Sequence, residues 1–372
     1  MRVAAGLSQQ TLAERSGLTR QAINSIEAGH YLPNTASALR LARVLGCRVD
    51  EIFRLSDEIP TCGVELWKKA LKPAIRGPVR LALARLRGSI VAHPLVEQMA
   101  LTEGFSPADG VLEDVGGHAS ARLLAEPRQI EETAFLAGCD PALGILASHL
   151  ERSHPELRLA WLPLASRAAL GALSAGGAHV AGSHVRDPKS GQFNVAQARR
   201  ALAVSGGLVV AFAGWEQGLM VRHGNPLKLR DMTDLTRTGI RFVNREPGAG
   251  SRESFDALLA KAKVPAARIG GYENVVASHM AVARTVSAGG ADAGMGLRAV
   301  AHACGLDFVP LVEICFDLAI PADLVEHRAV AAMLELLHSR RLRADLAALP
   351  GYDVSRIGTV IDRFAPAGRG RR

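Results

Sequence analysis

A chain of 372 residues with 48% apolar content can bury a large core and should hold two or three domains. Its formal net charge of +8 is unevenly placed. Residues 1–90 carry 14 Lys/Arg against 7 Asp/Glu, and residues 363–372 carry four Arg. A basic N-terminal part on a mildly acidic body suits a DNA-binding module joined to something that does not bind DNA. The five cysteines (Cys47, Cys62, Cys139, Cys304, Cys315) are spread out with no CxxC pair, which argues against a disulfide framework or a structural zinc site. MRVAAGLSQQ lacks the apolar core of a signal peptide, and no stretch of about 18 uncharged apolar residues could cross a bilayer. A soluble, cytoplasmic protein with no membrane partner is expected.

In chain order, residues 1–55 read as a helix-turn-helix. Ser8 is a good N-cap, and the stretch from Gln9 to Arg15 continues in helical period with Leu12 and Ala13 pointing inward. Gly17 breaks that helix at a tight turn. Thr19 caps a second helix whose buried stripe is Ala22, Ile23 and Ile26, leaving Arg20, Gln21, Asn24 and Ser25 on the exposed face. Long and amide side chains of this kind reach base edges and phosphates in a major groove. With Gln9 and Gln10 on the first helix, they are the candidate DNA-binding residues.

The order of these pieces resembles the lambda-repressor-like (XRE/Cro) helix-turn-helix family. The resemblance implies a positioning helix over 8–16, a recognition helix over 19–28, the loop GHYLPN, a packing helix over 35–45 and a closing helix over 49–53. It departs from the family in one respect: the usual first helix is nearly absent, with only MRVAAG ahead of Leu7 and Ser8. The implied partner is double-stranded DNA. Heads of this type act as two-fold pairs, so a homodimer is expected, with the connector over 64–86 contributing to it.

After Phe53 the pattern changes. Residues 57–130 read as a linker and a small β-rich connector: a polar, Pro-containing joint over 57–63, a short basic helix or connector over 64–76, then strand-like VRLALARL (79–86) and SIVAHPL (89–95), and a Gly/Asp/Ser-rich stretch over 104–117. From Glu131 apolar strands alternate with helical segments, the pattern of an α/β domain with a largely parallel sheet. This domain is expected over 131–362, followed by a basic tail over 363–372.

GLMVRHGNPLKLRDMTDL, GIRFVNREPGAGSRESFDALL and VSAGGADAGMGL, together with GCDPAL, WE.GL and PGYD, resemble the type II periplasmic-binding-protein fold, and more closely the molybdate-binding-like domain that some regulators carry. The fold class implied is multidomain: an all-α helix-turn-helix followed by a two-lobed α/β domain. The ligand implied is a small polar or anionic metabolite, such as a molybdate-like oxyanion.

In such a cleft, ligands sit at the carboxyl ends of parallel strands, where helix N-termini offer free N–H groups. Three strand-to-helix junctions fit: Cys139-Asp140-Pro141, with Pro141 at a first helical position, Ser166-Arg167, and Gly248 to Arg252. The candidate ligand-binding residues are Cys139, Asp140, Ser166, Arg167, His184, Gly250, Ser251, Arg252, His279 and Asp292, with Tyr272 a further cleft-facing position. Each serine could equally be a plain N-cap. His179, His184 and Asp187 do not have a standard zinc spacing and have no Cys neighbour in sequence, so no metal site is expected. No nucleophile elbow, P-loop, HExxH or dinucleotide fingerprint occurs, so neither catalytic residues nor a cofactor are expected. The reading is a ligand-responsive transcription regulator. The alternative is an enzyme or solute-binding protein of molybdenum or anion metabolism carrying a vestigial DNA-binding head.

Overall fold

The computed structural model describes every residue except 1, 4, 29–30, 54–59, 68–78, 96–105, 116–117, 188–189 and 368–372. The start of the GHYLPN loop and residues 368–372 of the basic tail therefore lie outside the described residues. So does most of the expected basic helix or connector over 64–76, though Glu65–Leu66 form a strand there. The chain divides into two compact units, Met1–Pro60 and Thr61–Arg372.

The first unit comprises α1 (Gln9–Ser16), α2 (Arg20–Glu27), α3 (Thr35–Leu45) and α4 (Val49–Ile52). Local chemistry sets its boundaries. Ser8, Thr19 and Asn34 each accept a hydrogen bond from the backbone N–H three residues on, at 3.0, 3.0 and 2.9 Å. Gly17 and Gly46 end α1 and α3 in the left-handed conformation, at φ 64° and 66°. Leu12, Ala13, Ile23 and Leu41 form the core, flanked by half-buried Ile26, Val44 and Phe53.

The second unit opens with a six-stranded sheet. Its strands are β1 (Thr61–Gly63), β2 (Glu65–Leu66), β3 (Arg80–Leu86), β4 (Ser89–Pro94), β5 (Gly110–Val115) and β6 (His118–Leu123), in the order β1-β6-β5-β3-β4-β2. Arg87 and Gly88, both with positive φ (49° and 88°), make the tight β3–β4 turn that matches strand twist. The alternation read in RLALARL becomes two buried faces. Leu81 and Leu83 pack within this sheet's own core, whereas Ala82, Ala84 and Leu86 pack on Phe135, Ala137, Leu162 and Leu173 of the α/β domain. His179 pins the layers. Its Nδ1 accepts from the Phe135 N–H at 3.0 Å, which leaves Nε2 to donate to the Arg85 carbonyl at 3.0 Å. Buried Asp109 pairs with both terminal nitrogens of Arg158. The small sheet thus shares a core with the α/β domain, and the apolar residues of β3 are already used there, so they are not available for the dimer contact expected of this stretch.

The α/β part continues through α5 (Pro127–Glu131), β7 (Thr133–Ala137), α6 (Leu143–Ser153), β8 (Arg158–Leu162), α7 (Ser166–Ser174), β9 (Val180–Ser183), α8 (Val195–Ala201) and β10 (Gly207–Val221). Then come β11 (Phe242–Arg245), α9 (Gly250–Ala262), β12 (Val275–Val276), α10 (His279–Ser287), β13 (Ala293–Leu297), α11 (Arg298–Ala303) and β14 (Asp307–Pro321). Helices α12 (Arg328–Leu336) and α13 (Arg340–Ala347) and strands β15 (Tyr352–Asp353) and β16 (Val360–Phe364) complete it.

The large sheet runs β12-β11-β13-β10-β14-β9-β7-β8. Strands β10 and β14 are each 15 residues long and pair antiparallel, from Gly207 opposite Pro321 to Val221 opposite Asp307. Near one end they carry β9, β7 and β8; near the other they carry β13, β11 and β12. The fold is therefore two-lobed, and this strand pair joins the lobes. Two register shifts, at Ala211/Ala213 and Gln217/Gly218, bend the pair. The second lobe has its own core around Leu219, Leu235, Phe255 and Met295, with Phe242 and Phe255 stacked at 4.4 Å.

Candidate functional site

On the first unit, Arg20, Gln21 and Asn24 are exposed on α2 and Ser25 is half-buried beside them. Ile23 is the fully buried residue of the helix. The short segment before α1 is tied to α2, because the Arg2 guanidinium donates to Glu27 at 2.6 Å and to the Leu7 carbonyl at 2.7 Å. Gln9 also donates to Glu27, at 2.7 Å, and reaches Asn24 Oδ1 at 3.4 Å. Gln10 bonds Glu14 on its own helix.

In the second unit, the strand ends converge. The turn after β7 carries Cys139 and Asp140, α7 begins at Ser166, and His184 follows β9 in the first lobe. From the second lobe come Arg245 at the end of β11, Gly250 and Ser251 opening α9, and His279 opening α10. Trp215 and Gln217 lie on the connecting strand β10.

Their contacts place them together. Ser166 Oγ accepts from the His184 backbone N–H at 3.2 Å and lies 4.0 Å from Cys139 Sγ. The His184 ring packs on Gly250, where a Cβ would fall 2.5 Å from it. Only glycine admits that contact between the lobes. The rings of His184 and Trp215 are 4.8 Å apart, and Trp215 meets His279 edge-on at 6.0 Å.

Within this enclosure an unusual number of polar atoms have no partner among the described residues: Asp140 Oδ2, both ring nitrogens of His184 and of His279, Trp215 Nε1, the Gln217 amide, Arg245 Nη1 and Ser251 Oγ. A buried polar group left unpaired costs about 1–3 kcal/mol. The concentration of such groups where five strand ends meet marks the candidate site.

Burial sets the charge states. It pushes the Cys139 thiol up to about 11 and Asp140 up to about 6, the latter opposed by hydrogen bonds from the Tyr352 hydroxyl and the Ala142 N–H. Burial and the Arg245 charge lower His184 to about 3 and hold His279 well below the usual imidazole range. Both rings are neutral at pH 7. Arg245, only 1% exposed, is offset by Glu246, which accepts from its Nε and Nη2 at 2.8 and 2.9 Å.

The expected site residues separate into two sets. Cys139, Asp140, Ser166, His184, Gly250, Ser251 and His279 are brought together. Neither serine is an N-cap: Ala165 and Ala249 hold those positions without side-chain bonds, whereas Ser278 does cap α10. Pro141 precedes α6 rather than opening it, because the Asp140 carboxylate accepts from Ala142 and shapes the turn there.

Arg167, Arg252 and Asp292 are corrections. Arg167 is exposed and pairs with Glu253 of the opposite lobe. Arg252 stacks on Tyr272, 4.7 Å from the ring centroid, and donates to the Arg245 carbonyl. Asp292 lies at the amino end of β13, where it pairs with Arg241 and Arg222, a strand length away from the carboxyl ends. Tyr272 is bonded to Asp256. Asp187 accepts from Ser190 within its own loop, and His179 lies at the opposite end of β9 from His184. The missed residues are Arg245, Trp215, Gln217 and Tyr352. A charged residue closing the apolar strand in GIRFVNR was the available signal for Arg245.

Comparison with known proteins agrees with the fold. A family model described as a PBP superfamily domain matches residues 147–338, and one described as a helix-turn-helix matches residues 1–52. The uncharacterised protein YvgK of Bacillus subtilis (strain 168) is 31% identical over 248 residues, which cover 63% of this chain and 78% of that protein. An HTH-type transcriptional regulator, itself uncharacterised, of Methanothermobacter thermautotrophicus is 46% identical over 54 residues, 14% of this chain and 78% of that one. Among solved structures, the sulfate-binding protein SubI from Mycobacterium tuberculosis H37Rv is 18% identical with a TM-score of 0.44, over 60% of this chain and 86% of that one. The chain belongs to the PBP superfamily domain family and carries a helix-turn-helix domain at its N-terminus.

Proposed function

We propose that the protein is a one-component transcription regulator in which the two-lobed domain senses a small polar or anionic metabolite and the helix-turn-helix reads an operator. The observation that carries this reading is the buried set of unpartnered polar atoms between the lobes, in a chain that also has a helix-turn-helix. Donors dominate the set. Arg245 Nη1 and Trp215 Nε1 can only donate, and the Ser251 hydroxyl and the neutral imidazoles can donate as well. That chemistry favours an oxyanion or carboxylate oxygen, with Asp140 Oδ2 available to accept from a ligand OH or NH. On the DNA side, Arg20, Gln21, Asn24 and Ser25 enter the major groove, and Gln9 and Gln10 approach the backbone. Two heads act together as a homodimer.

A ligand that binds only the closed lobes shifts the population toward them, and operator affinity changes in proportion to that preference. The test pairs two measurements on the full chain. Molybdate, sulfate, phosphate and small carboxylates are screened for a rise in thermal stability, since a native-state ligand stabilises by RT ln(1 + [L]/Kd). Operator binding by gel shift is then measured with and without the hits. A stabilising solute that changes salt-sensitive operator binding supports the reading. Stabilisation with no DNA binding at any salt concentration would favour a solute-binding protein with a vestigial head.

A further inference from the structure

Three of the side chains in the cleft share a second property. Cys139 Sγ and one ring nitrogen from each of His184 and His279 all lie within 4.8 Å of one another. They come from three separate elements. Cys139 follows β7 and His184 follows β9 in one lobe, while His279 opens α10 in the other. No local pattern hints at this grouping, because 45 residues separate the first two and 95 the last two.

We propose that Cys139, His184 and His279 bind a thiophilic transition-metal ion, Zn2+ or Cu+, which ties the two lobes together across the cleft. The inference rests on the reading of this cleft as the effector site. It names a class of ligand that acts there, either alone or beneath the anionic solute.

Four observations support it. One thiolate with two imidazoles is a borderline-to-soft donor set that selects zinc or copper over magnesium or calcium. Metal–sulfur and metal–nitrogen bonds of about 2.3 and 2.0–2.1 Å put tetrahedral ligand atoms roughly 3.5 Å apart, so side-chain shifts of about 1 Å close the observed spacing. Both histidines are 99% buried, and none of their four ring nitrogens has a hydrogen-bond partner among the described residues. Coordination would engage one nitrogen of each ring. Finally, three protein ligands leave one coordination position for a solute oxygen. The thiol proton passes to solvent on binding.

Arg245 is the contrary charge, since it sits close enough to disfavour protonation of both imidazoles. Glu246 already neutralises it through two hydrogen bonds, and the thiolate adds a compensating negative charge.

The experiment uses the full chain, reduced and stripped with a chelator, titrated with Co2+ as a spectroscopic probe. The expected result is a single equivalent bound, with a thiolate-to-cobalt charge-transfer band and the visible bands of tetrahedral Co2+, all bleached by Zn2+. Cys139→Ser should abolish the charge-transfer band. His184→Gln and His279→Gln should each weaken binding by more than the roughly 100-fold that loss of an outer-shell partner costs, since each removes a direct ligand. A Cu+ titration against a colorimetric chelator distinguishes the two metals.

Failure of Co2+, Zn2+ and Cu+ all to bind stoichiometrically to the wild-type chain would overturn the proposal, whatever the variants do. So would unchanged binding in a folded Cys139→Ser/His279→Gln double variant. If no metal binds but molybdate or sulfate still alters operator binding, the metal inference alone falls. If Co2+ binds as expected and neither metal nor anion changes operator binding, the sensor reading falls and the metal site stands.

Discussion

Arg245 shows what a single residue decides here. Its guanidinium ends an otherwise apolar strand, is almost wholly buried, and has one terminal nitrogen with no partner among the described residues. A hydrogen bond to a charged group is worth about 1.5–3 kcal/mol. Arg245→Gln should therefore weaken binding of the stabilising anion by roughly 10- to 100-fold, read by calorimetry, with operator affinity of the ligand-free protein unchanged. An equal loss of both would mark Arg245 as purely structural. On the DNA side, Gln21→Ala/Asn24→Ala should relax operator preference and cost about 1–3 kcal/mol for each bidentate pairing with a base that is removed. Unchanged discrimination between operator and scrambled DNA in a gel shift would remove α2 from the groove. Asn24 carries a further constraint, because it also touches Gln9.

Among the elements, the paired strands β10 and β14 matter most, since they run through both lobes, and β10 carries Trp215 and Gln217 to the candidate site. Gly218 sits at their second register shift, and a Cβ there would fall 2.0 Å from the Val309 carbonyl oxygen. Gly218→Ala must displace backbone, so a loss of more than about 1–3 kcal/mol is expected, visible as a Tm lower by several degrees. A neutral result would mean that the strand pair yields easily at that point.

The same pair carries Asp317, whose carboxylate accepts from Asn194 Nδ2 at 2.6 Å and is raised to about 6 by burial. A raised carboxyl pKa means the folded state holds the proton more tightly. The stabilising contribution is thus complete below pH 3.8 and is lost as pH rises through about 6. Asp317→Asn keeps an acceptor for Asn194 and does not titrate. Its stability relative to wild type should improve between pH 4 and pH 7, by up to about 3 kcal/mol. Denaturant melts of both proteins at those two pH values check it, and parallel pH profiles would refute it.

For the whole molecule, one helix-turn-helix head buries too few contacts for tight, specific operator binding. Sedimentation should therefore show a homodimer at micromolar concentration, with operator occupied by two chains and affinity falling steeply with salt. A monomer binding one head at a time would refute it. The contact must come from somewhere other than the apolar residues of β3, which are consumed between the small sheet and the α/β domain.

Residue order alone was enough for the first unit, where local chemistry sets the helix boundaries, although at Pro141 the turn shaped by Asp140 delays the helix by two residues. Caps at Ser8 and Thr19, the helix break at Gly17 and the period of Leu12, Ala13 and Ile23 specify the helix-turn-helix, since every interaction involved spans only a few residues. Alternating strands and helices likewise exposed the α/β class, and the rule that ligands sit at strand carboxyl ends selected Cys139, Asp140, Ser166, His184, Ser251 and His279, which the fold brings together. The rule could not tell a residue facing the cleft from one a turn away. Arg167 and Arg252 share their junctions with Ser166 and Ser251, yet a helix turns successive side chains by about 100°, sending the arginines to Glu253 and Tyr272. It took the folded chain to show that Arg245, Trp215, Gln217 and Tyr352 join this cluster, that the small sheet shares a core with the α/β domain, and that a thiol and two imidazoles meet. Each depends on pairings between strands and lobes far apart in the chain, whose register no local pattern records.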